Sequence, residues 1–277
     1  MRKYVVILTM LLAVMLPPVL SRAEESAAKT LMMATTTSTD DTGLLDYLAP
    51  FLLKDTGIDL KWTATGTGKA LELGKNCDVS VLLVHAPESE KKYVSDGYGV
   101  ERREVMYNDF IIIGPAADPA GIKGKTAAEA LATLRDRKAA FVSRGDNSGT
   151  HQQELVLWKA AAATVPDRES WYVQTGQGML ATINIAAEKN GYTLTDRGTY
   201  IKYGAAAGGS PALAILVEGD ARLKNQYSVM AVNPGKCPGV DIDGARVFAA
   251  WMAGPTGQKL INDFRLMGQQ LFFANAL

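Results

Sequence analysis

The sequence predicts an α/β fold with mostly parallel strands, because short apolar runs alternate with helical stretches along most of the chain. No segment rich in Pro, Gly or Ser interrupts that alternation, so any division into domains must run through ordered strands. With 277 residues and 47% apolar content, the chain is long enough for one large or two ordinary α/β domains. Buried strands are expected at 31–34, 58–63, 79–84, 109–114, 140–142, 213–217 and 228–232. Between them, Leu44, Leu48 and Leu52 share one helical face, and Thr126-Ala127-Ala128-Glu129 is a capping box ahead of Ala130, Leu131 and Leu134. Two extended stretches of mixed polarity, 104–115 and 227–234, are the candidate connections of a two-domain chain.

The N-terminus carries its own signal. Met1-Arg2-Lys3 is basic, residues 4–20 are apolar and end in Pro17-Pro18, and Ser21-Arg22-Ala23 is a small-x-small cleavage site. This is a secretory signal peptide, with cleavage expected after Ala23 and a product that is soluble and outside the cytoplasm. The apolar run is too short and too broken to span a bilayer, which needs about 20 apolar residues. A lipid anchor is not expected, because the only cysteines are Cys77 and Cys237, far from the cleavage site.

The full chain is formally neutral, and removal of Arg2, Lys3 and Arg22 leaves a net charge of about −3. No basic footprint for nucleic acid is present, so local groups rather than the overall field must hold any anion. In an oxidising compartment the two cysteines form either a single disulfide or two free thiols, and their spacing does not decide between these.

Three turns concentrate hydrogen-bond donors. The first is Thr35-Thr36-Thr37-Ser38-Thr39-Asp40-Asp41-Thr42-Gly43, more hydroxyls than one cap needs, directly after a strand and leading into a helix expected near Gly43. The second, Thr63-Ala64-Thr65-Gly66-Thr67-Gly68-Lys69, has glycines that let backbone approach a ligand but lacks P-loop spacing. The third joins a strand end, an arginine and a hydroxylated helix start in Ser143-Arg144-Gly145-Asp146-Asn147-Ser148-Gly149-Thr150-His151. Unpaired N–H groups at a helix N-terminus, hydroxyls and a guanidinium all favour an anion. The bland alternatives are ordinary capping and a solvated surface arginine.

Such turns offer many donors and few acceptors, which suits an oxyanion that carries no proton, as tungstate, molybdate and sulfate do near neutral pH. Phosphate keeps a proton and wants a carboxylate; Asp146 either supplies that acceptor or holds Arg144. Enzymatic readings are weaker. Asp41-Thr42-Gly43 and Asp55-Thr56-Gly57 imitate aspartic-protease motifs but stand too close together for separate β-lobes. Ser148 and His151 are poorly spaced for a hydrolase pair and lack a nucleophile elbow. His85 and His151 stand alone without metal-ligand spacing, and His85 reads as a structural histidine. The four tryptophans, Trp62, Trp158, Trp171 and Trp251, are dispersed and read as packing.

At these residues the chain resembles the tungstate-binding proteins of tungstate ABC transporters, within the type II periplasmic binding proteins. The resemblance runs through Ala34-Thr-Thr-Thr-Ser38, Val81-Leu-Leu-Val-His-Ala-Pro87, Val105-Met-Tyr-Asn-Asp-Phe110, Ser143 to His151, Thr175-Gly-Gln-Gly-Met179 and Leu194-Thr-Asp-Arg-Gly-Thr-Tyr200. It implies two α/β lobes joined by two strand-like crossings, with lobe one at 24–108 plus 229–277 and lobe two at 109–228. It further implies a non-enzymatic, monomeric periplasmic carrier that clasps tungstate between the lobes and passes it to a permease, with molybdate, sulfate or a general oxyanion as alternatives. The ligand contacts it implies are Thr36, Thr37, Ser38, Thr67, Arg144, Ser148, Gly149 and Thr150, with no cofactor and no metal cation. Cys77 and Cys237 both fall in lobe one on this division, which favours the disulfide.

Overall fold

A computed structural model describes residues 28–162 and 164–276; the signal peptide and its cleavage site lie outside the described residues. The helices are α1 (Thr37–Asp40), α2 (Leu44–Thr56), α3 (Thr67–Lys75), α4 (Pro87–Ser95), α5 (Ala127–Asp136), α6 (Gly149–Ala160), α7 (Met179–Glu188), α8 (Arg197–Ala206), α9 (Ile242–Ala253) and α10 (Pro255–Asp263). The strands are β1 (Lys29–Thr36), β2 (Ile58–Thr65), β3 (Val81–Val84), β4 (Gly99–Pro115), β5 (Phe141–Ser143), β6 (Tyr172–Gln174), β7 (Thr193–Asp196), β8 (Leu213–Val217) and β9 (Lys224–Val232), followed by the two-residue β10 (Arg265–Leu266), β11 (Gln269–Gln270) and β12 (Phe273–Ala274). No helix among the described residues is long and apolar enough to cross a membrane.

Local chemistry explains these boundaries. Leu44, Leu45, Leu48 and Leu52 bury one face of α2, and glycines in the left-handed region close both its ends: Gly43 at φ 77° and Gly57 at φ 73°. The two Asp-Thr-Gly triplets therefore flank a single helix. The expected capping box is formed at α5, where Thr126 accepts from the Glu129 N–H and the Glu129 carboxylate accepts from the Thr126 N–H. Helix α2 starts beside Gly43 as expected, but the first donor-rich turn also forms a separate short helix of its own, α1, with Thr36 as its N-cap.

One large sheet has the order β12-β4-β9-β3-β1-β2, with β7 and β8 also paired to β4; β5 and β6 form a small sheet of their own. The expectation of mostly parallel strands is corrected here. Only β1·β2, β1·β3 and β5·β6 run parallel, whereas β3·β9, β4·β7, β4·β8, β4·β9, β10·β11 and β12·β4 are antiparallel. The cause is β4 and β9, which pair over much of their lengths and also pair with shorter strands. Burial on both faces gives an apolar run whichever way a strand points, so hydrophobicity could not reveal direction. Two short strands, β6 and β7, also went unread, because Tyr-Val-Gln and Thr-Leu-Thr-Asp lack apolar runs.

Apolar side chains collect in separate clusters. One packs Met33, Leu48, Val229, Phe248 and Phe272 between the sheet and α2, α9 and α10; another packs Phe110, Leu131, Phe141, Trp158 and Tyr192 around β5 and α6. Cys77, in the turn after α3 at φ 67°, is disulfide-bonded to buried Cys237 beyond β9. By loop-closure entropy, a C77S/C237S variant is expected to lose about 5 kcal/mol of stability, read as a lower urea midpoint than the oxidised wild type.

Candidate functional site

The site forms where several helix N-termini converge on Arg144. Strand β5 delivers the Arg144 loop, and a buried carboxylate anchors it: Glu154 on α6 accepts from Ser143 Oγ at 2.7 Å, from Trp158 Nε1 at 3.0 Å and from Tyr172 OH at 2.6 Å. Burial pushes the Glu154 carboxyl above its usual range, against these three bonds. The loop then turns through Gly145 (φ 60°) and Asn147 (φ 58°) into α6, with Ser148 as N-cap.

Arg144 is only 7% exposed, which excludes the solvated-arginine alternative. Its Nε and Nη2 donate to Asp146 Oδ2 at 3.1 and 2.5 Å, while Asp146 Oδ1 accepts the Ser148 N–H at 3.1 Å. Burial pushes the Asp146 carboxyl up, but the Ser148 bonds and the Arg144 charge outweigh it and hold it below the usual carboxylate range. Asp146 thus orients the guanidinium from one edge. Among the described residues, Nη1 makes no hydrogen bond within the protein.

A cavity of about 240 Å³ is lined by Thr37, Ser38 and Asp41, by Arg144, by residues 178–181 at the start of α7, and by Thr199. It gathers the N-terminal turns of α1, α7 and α8 around one guanidinium. Of the residues expected as ligand contacts, Thr37, Ser38 and Arg144 share this cavity. Thr36 stands behind Ser38 as the α1 N-cap, its Oγ1 3.2 Å from Ser38 Oγ.

Thr67, Ser148, Gly149 and Thr150 do not line the cavity; they lie where the α3 and α6 N-termini meet. A Cβ on Gly149 would stand 3.2 Å from Thr67 Oγ1 and 2.8 Å from His85 Cε1, so only glycine lets the two ends approach this closely. Thr67 Oγ1 is fully buried with no hydrogen-bond partner among the described residues. The Ser148 hydroxyl is used inside its own helix, where it accepts the His151 N–H at 3.3 Å. The His151 ring instead accepts the Asn147 N–H at 3.0 Å through Nδ1, so Ser148 and His151 do not pair as nucleophile and base.

Two residues at the site were missed as contributors. Asp196 caps α8, accepting from Thr199 N–H and Thr199 Oγ1 at 2.8 Å each, and complete burial raises its carboxyl despite those bonds and the nearby Arg144 charge. The segment 194–200 carried the family resemblance, which was the one available signal for both Asp196 and Thr199. His85, read as structural, is satisfied as expected, through Asn225 Oδ1 at 2.9 Å from Nδ1. It also stands against the cavity's hydroxyl-rich side, with Nε2 3.0 Å from Thr36 Oγ1 and 3.2 Å from Ser38 Oγ.

A fold of this kind with a donor-lined cleft defines an anion-binding protein of the substrate-binding class. A model of the PBP superfamily domain matches residues 21–256, and the chain belongs to that family. It is 49% identical to the tungstate-binding protein TupA of Campylobacter jejuni subsp. jejuni over 86% of this chain and 88% of that one. The solved tungstate-binding protein TupA from Desulfovibrio alaskensis G20 matches with 64% identity and a TM-score of 0.83, covering 90% of this chain and 100% of that one. A structure described as the tungstate ABC transporter from Geobacter sulfurreducens matches with 50% identity and a TM-score of 0.76, over 86% of this chain and 100% of that one.

Burial lowers the His85 pKa from its usual 6.5 to about 4, opposed by the Asn225 bond and helped by the Arg144 charge. The unfolded chain therefore takes up this proton first, so the stability linked to neutral His85 is present above pH 6.5 and is lost as pH falls toward 4. Over that window wild type is expected to lose up to about 3 kcal/mol relative to a His85→Phe variant, which has no such proton. Urea unfolding of both proteins at pH 7 and pH 4.5 measures the difference, and shared carboxylates cancel from it.

Proposed function

We propose that this protein is a periplasmic substrate-binding protein that captures tungstate and delivers it to the membrane permease of an ABC importer. The observation that carries the reading is the buried Arg144 guanidinium, held on one edge by Asp146 and bordering a cavity with Ser38 and the α7 and α8 N-termini. A desolvated positive charge with surplus donors and few free acceptors suits a compact, fully deprotonated oxyanion. The names of the similar proteins support tungstate within that class. Molybdate and sulfate share its shape and charge and are the competing ligands.

On this reading, lobe one spans 24–108 and 229–277 and lobe two spans 109–228, with the anion clasped between them and the paired strands β4 and β9 as the crossings. The two largest apolar clusters fall on either side of that division and support it, apart from Ile201 and Tyr227, which pack with the first. The basic, apolar and small-x-small order of residues 1–23 supports export, with a mature chain beginning at Glu24.

Isothermal titration of residues 24–277 with tungstate, molybdate, sulfate and phosphate tests the proposal. Tight tungstate binding with weaker sulfate and phosphate is expected; no heat with any of the four sinks it. Arg144→Ala is expected to weaken tungstate binding by about 2–5 kcal/mol, and a loss under tenfold would make the arginine peripheral.

Thr67→Val gives an independent check. It removes a buried hydroxyl that has no partner among the described residues, so the unliganded protein is expected to gain about 1 kcal/mol in chemical denaturation. A variant that loses stability instead would make Thr67 an ordinary structural threonine.

A further inference from the structure

On the lobe division above, α3, α4 and His85 belong to lobe one and α6 to lobe two, so every contact between them crosses the cleft. The start of α6 and the loop before it meet lobe one at Asn147, Gly149 and Gln152. The backbone of Gly149 stands so close that a Cβ there would lie 2.8 Å from His85 Cε1 and 3.2 Å from Thr67 Oγ1. The Asn147 side chain lies over the start of α3, with Nδ2 3.3 Å from where a Cβ on Gly68 would stand. Gln152 Oε1 accepts the hydroxyl of Ser89 on α4 at 2.6 Å.

The Ser89 bond ties lobe one to the loop that carries the arginine. Gln152 Nε2 donates to the Asn147 carbonyl at 3.2 Å, which turns Oε1 toward α4, where it receives the Ser89 proton. Asn147 follows Asp146, whose Oδ2 holds Arg144 and whose Oδ1 accepts the Ser148 N–H. The surface that α6 rests on is equally fixed. His85 cannot retreat from Gly149, because Nδ1 is 2.9 Å from Asn225 Oδ1, Nε2 is 3.0 Å from Thr36 Oγ1, and the ring is stacked on Tyr227 with centroids 4.7 Å apart. The residues that line the Arg144 cavity include neither Ser89 nor Gln152.

We propose that Ser89 and Gln152 are positioning residues of the anion site: they latch the start of α6 to lobe one and so hold Arg144 and Ser38 on the same cavity while the cleft is shut. Gly149 is the seat of this latch, since a side chain there would strike the immobile His85 ring before α6 came to rest. The latch rests on the oxyanion reading and the lobe division above, and it separates capture from retention. Arg144 and the cavity hydroxyls decide whether the anion binds, whereas a hydrogen bond outside the cavity decides how long it stays. Because that bond belongs to the closed form, its loss acts on dissociation and spares association, which begins from the open form.

A double-mutant cycle on the mature chain tests it, with tungstate affinity from titration calorimetry and association rate from stopped-flow fluorescence. Ser89→Ala and Gln152→Ala are each expected to weaken tungstate binding about fivefold, the worth of one hydrogen bond, at an unchanged association rate. The double variant is expected to bind no more weakly than either single one, because all three lack the same bond. Gly149→Ala, which keeps the backbone N–H, is expected to lose about tenfold in affinity from the clash at the seat. In small-angle scattering the wild type is expected to contract on loading with tungstate and Gly149→Ala to contract less; the Ser89 and Gln152 cycle decides the matter if that variant does not fold. Additive losses in the double variant, wild-type affinity in both single variants, or losses that come from slower association overturn the latch and leave the tungstate reading standing. Failure of the wild type to bind tungstate overturns both.

Discussion

A guanidinium taken out of water is the constraint around which this molecule is organised. Burying Arg144 without compensation would cost several kcal/mol, so the surrounding structure has to supply negative charge or leave a place for it. Asp146 supplies part of it and fixes the orientation of the fork at the same time. Glu154, three bonds deep behind Ser143, holds the loop that carries the arginine. The turns of α1, α7 and α8 point further partial positive charge toward the same cavity, which makes an external anion the natural completion of the site.

The second organising element is the pair of long strands. β4 contributes residues to the large sheet near β12 and β9 and, further along, to β7 and β8. Asn108 and Asn225 face each other on this pair, and their amides begin a line of hydrogen bonds that runs through His85 to Thr36. Backbone that joins two packed regions and side chains that orient the site are thus the same short stretch of sequence.

Much of this was legible beforehand where the physics is local. The α5 capping box and the leucine face of α2 followed from neighbours within a few residues and formed as read, whereas the Arg144 turn joins its strand to its helix as expected but leaves Ser148, Gly149 and Thr150 away from the Arg144 cavity. Strand direction did not, because it depends on where β9 returns relative to β3, more than a hundred residues away. The short helix α1 was hidden for a similar reason: a run of hydroxyls caps whichever turn follows it, and nothing local separates Thr37–Asp40 from Leu44–Thr56 except the left-handed Gly43. His85 was placed correctly as a satisfied histidine, but its partners lie 49 and 140 residues away, beyond the reach of any pattern.

The placement of β9 and of the Cys77–Cys237 bond also sets a timetable. The inner strand β3 finds its second neighbour only when β9 arrives, and Cys77 waits 160 residues for its partner. A chain emerging from its N-terminus therefore holds an open strand edge and a reactive thiol until nearly nine-tenths of it is available. Vectorial synthesis gives this protein little chance to finish its first half early. Its maturation should depend on being held unfolded and then released nearly whole, so that truncated products betray themselves by a thiol that never closes.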